Sequence, residues 1–181
     1  MNCRNDILML LQACQRLYET VGIPGRLAES AEDTAYSSLV LSFDAIGRFN
    51  RSVKTELNRI PGLEAEQEGI HILQIFASSL DLNRNDRESE PSYPPDLYRT
   101  VNRLNVSLPL GAFGLMEDEA VLFYKLNVLL DLKQDLGWNT QLIDRNIGLL
   151  LHIHDVFIDT LEEVATGKLS YDSAISRLRL P

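Results

Sequence analysis

Gly111-Ala112-Phe113-Gly114-Leu115-Met116, then Glu117-Asp118-Glu119, then Ala120-Val121-Leu122-Phe123-Tyr124-Lys125-Leu126 read together as a β-hairpin. Two short apolar runs rich in aromatic and branched residues flank three consecutive acids, and acids suit a solvent-exposed tip. The glycines of the first run, Gly111 and Gly114, predict a bulge or a second backbone passing close by. Antiparallel strands joined this tightly, with helical patterns on either side, set the class. It is an α+β fold, an antiparallel sheet with helices packed on one face.

Working towards the C-terminus, Ile143, Ile147, Leu150, Phe157, Leu161 and Val164 recur on one helical stripe, widened by Leu142, Leu149, Ile153 and Val156. The spacing predicts a long helix over 140–166 with an apolar arc broad enough to face a sheet. Thr140 or Asn139 is the expected cap at its start and Gly167 its stop. A short helix follows over 170–179, opened by Ser170. Upstream of the hairpin, Leu97, Val101 and Leu104 share one face of a helix that ends near Asn105 and carries Asp96 in its first turn. Residues 81–95 are almost wholly polar apart from Leu82 and the closing Tyr93-Pro94-Pro95, and form a solvated loop between the two halves of a single domain, 1–181.

Further upstream, Gly69-Ile70-His71-Ile72-Leu73-Gln74-Ile75-Phe76-Ala77 is nearly continuous in apolar character, which predicts a central strand covered on both faces. The stretch 45–61 fits two periods. Ile46, Phe49, Val53, Leu57 and Ile60 suit a helix, whereas Val53, Thr55 and Leu57 suit a strand after a turn at Gly47. Short β-type runs on both sides favour the hairpin, closed by Pro61-Gly62. Leu39, Leu41 and Phe43 alternate with Ser38, Ser42 and Asp44 as a strand does, and residues 25–35 read as a polar loop. Ile7, Leu10, Leu11, Cys14, Leu17, Tyr18 and Val21 define a first helix over 6–21, capped by Asn5 or Asp6 and ended by Gly22 and Pro24. The resulting order is α-β-β-β-α-β-β-α-α.

The chain has 181 residues, 45% apolar and 24% charged, enough to bury a core without disulfide or metal. Cys3 and Cys14 both lie near the start, and Cys14 falls on the apolar helical face, which makes it a small buried hydrophobe and not half of a redox pair. A net charge of −9 repels phosphate backbones and anionic membranes, so neither nucleic acid nor membrane is an expected partner. No apolar run is long enough to span a bilayer. The N-terminal Arg4 and Ile7-Leu8-Met9-Leu10-Leu11 are interrupted by Asp6 and lack a small-residue cleavage site, so a cytoplasmic protein is expected.

His152-Ile153-His154-Asp155 resembles a fragment of the metallo-hydrolase pattern H-x-H-x-D-H, but the acid follows His154 directly. On a helix, positions two apart point about 200° away from each other, so the two imidazoles cannot share one ion. His152 and Asp155 could instead hydrogen-bond across one turn. His71 sits mid-strand, the place of a structural histidine. Neither a nucleophile elbow nor a phosphate-cradling glycine loop is present. The pairs Glu117-Asp118-Glu119 and Glu162-Glu163 read as solvated charge, and Arg48, Arg51 and Lys54, around Phe49, as local salt-bridge partners. Trp138, after Gly137, is expected to staple the long helix to the core, with a partner anchor as the alternative. No catalytic residue, cofactor or metal is expected.

The order of elements resembles the type III secretion chaperone-like fold, including YbjN-type bacterial proteins, and is similar to an uncharacterised cyanobacterial family with that fold. The residues that carry the likeness run from Leu104-Asn105-Val106 through Gly111-Ala112-Phe113-Gly114-Leu115 and the acidic turn to Val121-Leu122-Phe123-Tyr124-Lys125-Leu126, followed by the long helix. The resemblance implies a small acidic homodimer that binds an extended segment of a client protein and performs no catalysis. It places the dimer face on helix 95–104 and the glycine-containing strand, with Leu97, Val101, Leu104 and Phe113 as contact residues. An accessory subunit of a larger assembly is the alternative, and an enzyme of unfamiliar type stands behind both.

Overall fold

A computed structural model describes residues 3–29, 37–60, 69–82 and 93–178. Its elements are α1 (Cys3–Thr20), β1 (Gly25–Glu29), β2 (Ser37–Ile46), β3 (Arg51–Arg59), β4 (Ile70–Asp81), α2 (Pro95–Ser107), β5 (Ala112–Met116), β6 (Val121–Asp131), α3 (Leu136–Ala165) and α4 (Tyr171–Leu178). The strands form one antiparallel sheet in the order β1-β2-β3-β4-β6-β5. The α+β class and the hairpin over 45–60 are therefore as expected, with one strand more than the sequence order held. Pro61-Gly62, residues 30–36 and most of the polar loop, 83–92, lie outside the described residues.

The fold divides into two compact units, one built from Met1–Phe43, Lys54–Phe76 and Leu126–Leu150, the other from Asp44–Val53, Ala77–Lys125 and Leu151–Pro181. Strands β2, β3, β4 and β6 and helix α3 each contribute to both.

In the first unit the additional strand is β1, whose stretch the sequence gives as loop. Gly25 pairs with Leu41 and Leu27 with Leu39 at the edge of the sheet. An edge strand needs only one neighbour and leaves its other side to water, so its composition can stay polar and loop-like. The side chain of Gln15 on α1 donates to the Gly25 carbonyl at 2.9 Å, tying helix to edge. Ile7, Leu10, Leu11, Cys14 and Tyr18 of α1 are buried, as the helical spacing requires, whereas Leu17 and Val21, expected on the same face, are exposed, Val21 lying beyond the end of the helix. The Tyr18 ring meets Phe43 edge-on at 5.6 Å, and its hydroxyl donates to Asp144 of α3 at 2.8 Å.

Burial pushes the Cys14 thiol up to about 12, with the Asp144 charge adding to it. Thiolate is the reactive form, so native protein at pH 8 is expected to leave Cys14 unmodified by iodoacetamide, with full alkylation in denaturant. Peptide mass spectrometry reads the difference.

Strand β4 is central, between β3 and β6, but only one of its faces is closed. His71, Leu73, Ile75, Ala77 and Ser79 are buried, while Ile70, Ile72, Gln74, Phe76 and Ser78 are half-buried. The continuous apolar run thus marks a central strand, not a doubly covered one. Helix α3 begins at Leu136, four residues before the expected start. The cap is Asp135, whose carboxylate accepts from the Trp138 N–H at 2.9 Å. Asn139 and Thr140 lie inside the first turns, where Asn139 donates to the Asp131 carbonyl and Thr140 to that of Leu136. Gly167, at φ +71, ends the helix as expected, with the Lys168 N–H returning to the Glu163 carbonyl.

In the second unit, β5 and β6 pair from Ala112↔Lys125 to Met116↔Val121 around the acidic turn. Both glycines of β5 and its approach answer to close neighbours. The Phe123 ring covers Gly114 and leaves no room for a side chain there, and Gly111, at φ +69, faces the Lys125 carbonyl and the Tyr124 hydroxyl. The side-chain amide of Asn105, near the end of α2, grips β5 like a neighbouring strand. It donates to the Phe113 carbonyl at 2.9 Å and accepts from the Phe113 N–H at 2.8 Å. Helix α4 is opened by Ser170, whose hydroxyl accepts from the Ser173 N–H, and is held to α2 by Asp96, which accepts from the Tyr171 N–H at 2.9 Å.

Candidate functional site

The residues that chemistry singles out are dispersed by the fold. His152 is exposed and His154 fully buried, on different sides of α3 as the helical angle demands. The Nε2 of His154 lies 2.8 Å from the Ser79 hydroxyl, and its ring packs at 5.6 Å from Tyr124 and 5.7 Å from Phe113. This is a buried polar pair in an aromatic box, a structural arrangement. Asp155 reaches the β2–β3 hairpin, where it accepts from the Gly47 N–H at 3.1 Å. His71 is buried within β4. Among the described residues no group of three or more His, Cys, Asp or Glu side chains is placed to hold a metal ion.

The densest polar cluster lies between the β2–β3 hairpin and the second half of α3. Asp159 accepts from the Arg48 N–H at 3.0 Å and from its Nε at 2.9 Å, and also pairs with Arg51. Arg51 reaches Glu162 as well, and Glu163 pairs with Arg48 at 3.1 Å and with Arg177 of α4. The acids Glu162 and Glu163, expected as free solvated charge, are thus partners in a lattice, and the arginines fill the local salt-bridge role expected of them. Lys54 pairs separately with Glu56 at 3.2 Å. Burial alone would raise the Asp159 carboxyl, but the Arg48 N–H and the two guanidinium groups outweigh it and hold it below the usual range. Glu163 is held low chiefly by Arg177.

The sign for stability follows from those directions. Both carboxyls bind protons less readily folded than unfolded, so their contribution is complete above about pH 4 and is lost as pH falls through the lowered folded values. A thermal-melt series is expected to be flat in this contribution from neutrality to about pH 5 and to fall steeply below about pH 4. Asp159→Asn should flatten that fall.

The structure places the four residues expected at a dimer face inside the second unit. Leu97 and Leu104 are 0% exposed, Phe113 3% and Val101 7%. Their chemistry is spent on the chain's own core, the ordinary fate of the apolar side of an amphipathic helix. What α2 and the turn after it offer to solvent is Tyr98, Val106 and Leu110, all exposed. Tyr98, Asn102 and Val106 succeed one another at intervals of four, so they lie along one side of the helix. The Tyr98 hydroxyl donates to Glu117 of the acidic tip at 3.0 Å. In the first unit Trp138 is about half exposed, close in sequence to exposed Leu129 and Leu136. It is not the core staple expected, because capping by Asp135 starts α3 before Trp138 and turns the indole outward.

No known protein family, no curated protein and no solved structure matches the chain. Among the described residues no helix is long and apolar enough to cross a membrane. Sequence reasoning missed Asp159, and it named Asn105 without its side-chain bonds to Phe113. Asp155, Asp159 and Glu162 or Glu163 recur at helical intervals, a one-sided acidic stripe that could have been matched to Arg48 and Arg51.

Proposed function

We propose that this chain is a non-enzymatic, chaperone-like protein-binding homodimer that uses the outer side of α2 as its contact face. The carrying observation is the exposure of Tyr98 and Val106 on α2 and of Leu110 in the turn after it, at the helix to which the resemblance to the chaperone-like fold assigns dimerisation. Exposed aromatic and branched side chains on a helix and the turn after it are costly to leave in water and favourable to cover. The same reading takes proteins, and neither nucleic acid nor membrane, as partners, since a net charge of −9 opposes both alternatives. It is also consistent with the cytoplasmic setting expected from the sequence.

The test is the pair of variants Val106→Glu and Leu110→Glu. Both side chains are exposed in the single chain, so folding should be kept while a dimer built on this face dissociates. Sedimentation velocity showing unchanged assembly in both would remove the proposal. A second reading, an accessory subunit of a larger assembly, is favoured by Trp138 with Leu129 and Leu136, three exposed apolar side chains of the first unit. Co-purification of a stoichiometric partner that Trp138→Ser abolishes would support that reading.

A further inference from the structure

The acids of the β5–β6 tip stand beside two tyrosines of the second unit. Glu117, Asp118 and Glu119 are all exposed, in a tight turn where the Ala120 N–H donates to the Glu117 carbonyl at 3.2 Å. The Tyr98 hydroxyl donates to the Glu117 carboxylate at 3.0 Å, which holds a ring that is 40% exposed against the acid. The Tyr93 ring meets that of Tyr98 edge-on, with centroids 6.3 Å apart. Tyr93 is only 9% exposed, and among the described residues its hydroxyl is closed to water and makes no hydrogen bond. A buried hydroxyl without a partner is costly to keep. Burial pushes the Tyr93 phenol up, and the charges of Glu117 and Asp81 add to it, so the hydroxyl is turned towards these carboxylates. Burial and the bond to Glu117 push Tyr98 in the same direction.

Elsewhere the chain sets its own arginines in such corners of ring and carboxylate. Arg99 lies 4.0 Å from the centroid of Tyr171 and pairs with Asp96 at 3.3 Å, and Arg51 lies 4.9 Å from that of Phe49 and pairs with Asp159. A guanidinium suits both groups at once, because its flat face stacks on the ring while its N–H groups reach the acid. Neither Glu117 nor Asp118 has a basic partner among the described residues. The total charge of −9 reinforces the attraction of this corner for a cation. A metal ion fits it less well, because among the described residues no three His, Cys, Asp or Glu side chains converge to hold one.

We infer that the corner formed by Tyr93, Tyr98 and Glu117 binds an arginine side chain from a basic segment of another protein, with its guanidinium on the Tyr98 ring and its N–H groups on Glu117. An N–H donated to the Tyr93 hydroxyl oxygen supplies the partner that this buried group lacks, and exposed Asp118 draws a neighbouring basic residue of the segment. The inference rests on the protein-binding reading above only in taking a protein as the partner. Tyr98 also belongs to the outer side of α2, but Val106 lies eight residues further on, about 12 Å along the axis.

Titration of the isotopically labelled full chain, followed by NMR, tests it in the wild type and in Val106→Glu. The second protein keeps the corner open whatever the assembly state, so a failure of the α2 dimer and a failure of this site are read separately. The probes are a synthetic peptide with two arginines spaced by one serine, the same peptide with citrulline or glutamate in place of arginine, and calcium chloride. The arginine peptide is expected to shift the amide signals of Tyr98 and residues 117–119, and the uncharged citrulline form to bind at least about ten-fold more weakly. Tyr98→Ser and Glu117→Gln, both at exposed side chains, should each weaken the arginine peptide about five-fold. Tyr93→Phe should weaken it about three-fold with an unchanged or raised melting temperature, a combination that a merely structural hydroxyl does not give. Any of four results overturns the inference: no shift at the tip in either protein, citrulline or glutamate peptide binding as tightly as arginine, affinity unchanged by Tyr98→Ser or by Tyr93→Phe, or calcium shifting the same signals at a lower concentration than the arginine peptide.

Discussion

Asp159→Ala is expected to lower the stability of the protein by about 3 kcal/mol, the range seen when one partner is removed from a largely buried ion pair. The residue is 6% exposed and accepts three hydrogen bonds, from the Arg48 N–H, the Arg48 guanidinium and Arg51. Alanine leaves the Arg51 side chain, only 12% exposed, with Glu162 as its sole carboxylate partner in the lattice. It also removes the Arg48 contacts that hold the hairpin to α3. For a chain of this size the loss corresponds to a melting temperature lowered by about 6–12 °C. The double variant Asp159→Ala, Arg51→Met separates this account from a simple loss of packing. Removing the stranded guanidinium should restore part of the stability, giving a coupling of about 1–3 kcal/mol in the cycle. A single-variant loss within about 0.5 kcal/mol, the range of ordinary surface substitutions, would mean that the lattice is decorative.

Gly111→Ala is the second large effect, expected at about 3 kcal/mol from two sources that add. Gly111 has φ +69, a left-handed conformation that costs an L-residue about 1–2 kcal/mol. A Cβ at this position would also lie 2.5 Å from the Tyr124 hydroxyl oxygen and 2.7 Å from the Lys125 carbonyl oxygen, and the latter is backbone that cannot step aside. The Tyr124 hydroxyl donates to the Leu110 carbonyl, so the clash reaches the bond that closes the approach to β5. Gly148→Ala in α3 is the control. Nothing lies within 4 Å of its added Cβ, and the substitution should stabilise the helix by about 1 kcal/mol. Chemical denaturation of the three proteins reads both signs. If Gly111→Ala proved neutral, the account of why the hairpin approach carries glycine would be lost.

The fold class was legible because its signals are local. Alternation in Leu39, Leu41 and Phe43, the helical stripe through Ile143, Ile147 and Leu150, and the acidic turn after Met116 each follow from how a strand or helix presents its side chains. Strand β1 was not legible, because Gly25–Glu29 becomes a strand only by pairing with β2, and five polar-leaning residues carry no period long enough to read. The start of α3 was misplaced because two good cap residues, Asn139 and Thr140, follow a better-placed one, Asp135. Which cap is used depends on the Asn139 side chain reaching the Asp131 carbonyl, a tertiary fact.

The candidate surfaces were legible in part. The arginines and glutamates were visible as clusters, and their pairing partner was not, since Asp159 is 108 residues from Arg51 in sequence. Leu97, Val101, Leu104 and Phe113 carried the apolar signal expected of a contact face. Periodicity identifies which side of a helix is apolar, and that side is normally the one turned inward. The side turned outward carries polar Asn102 between Tyr98 and Val106, so it shows no continuous apolar period and becomes visible only through exposure.

The homodimer is the claim on which the functional proposal turns, and its mass in solution tests it most directly. Multi-angle light scattering on the eluting protein at micromolar concentration should return twice the chain mass of 20.4 kDa, falling to the chain mass in Val106→Glu. A wild-type protein that elutes at 20.4 kDa across that concentration range would contradict it.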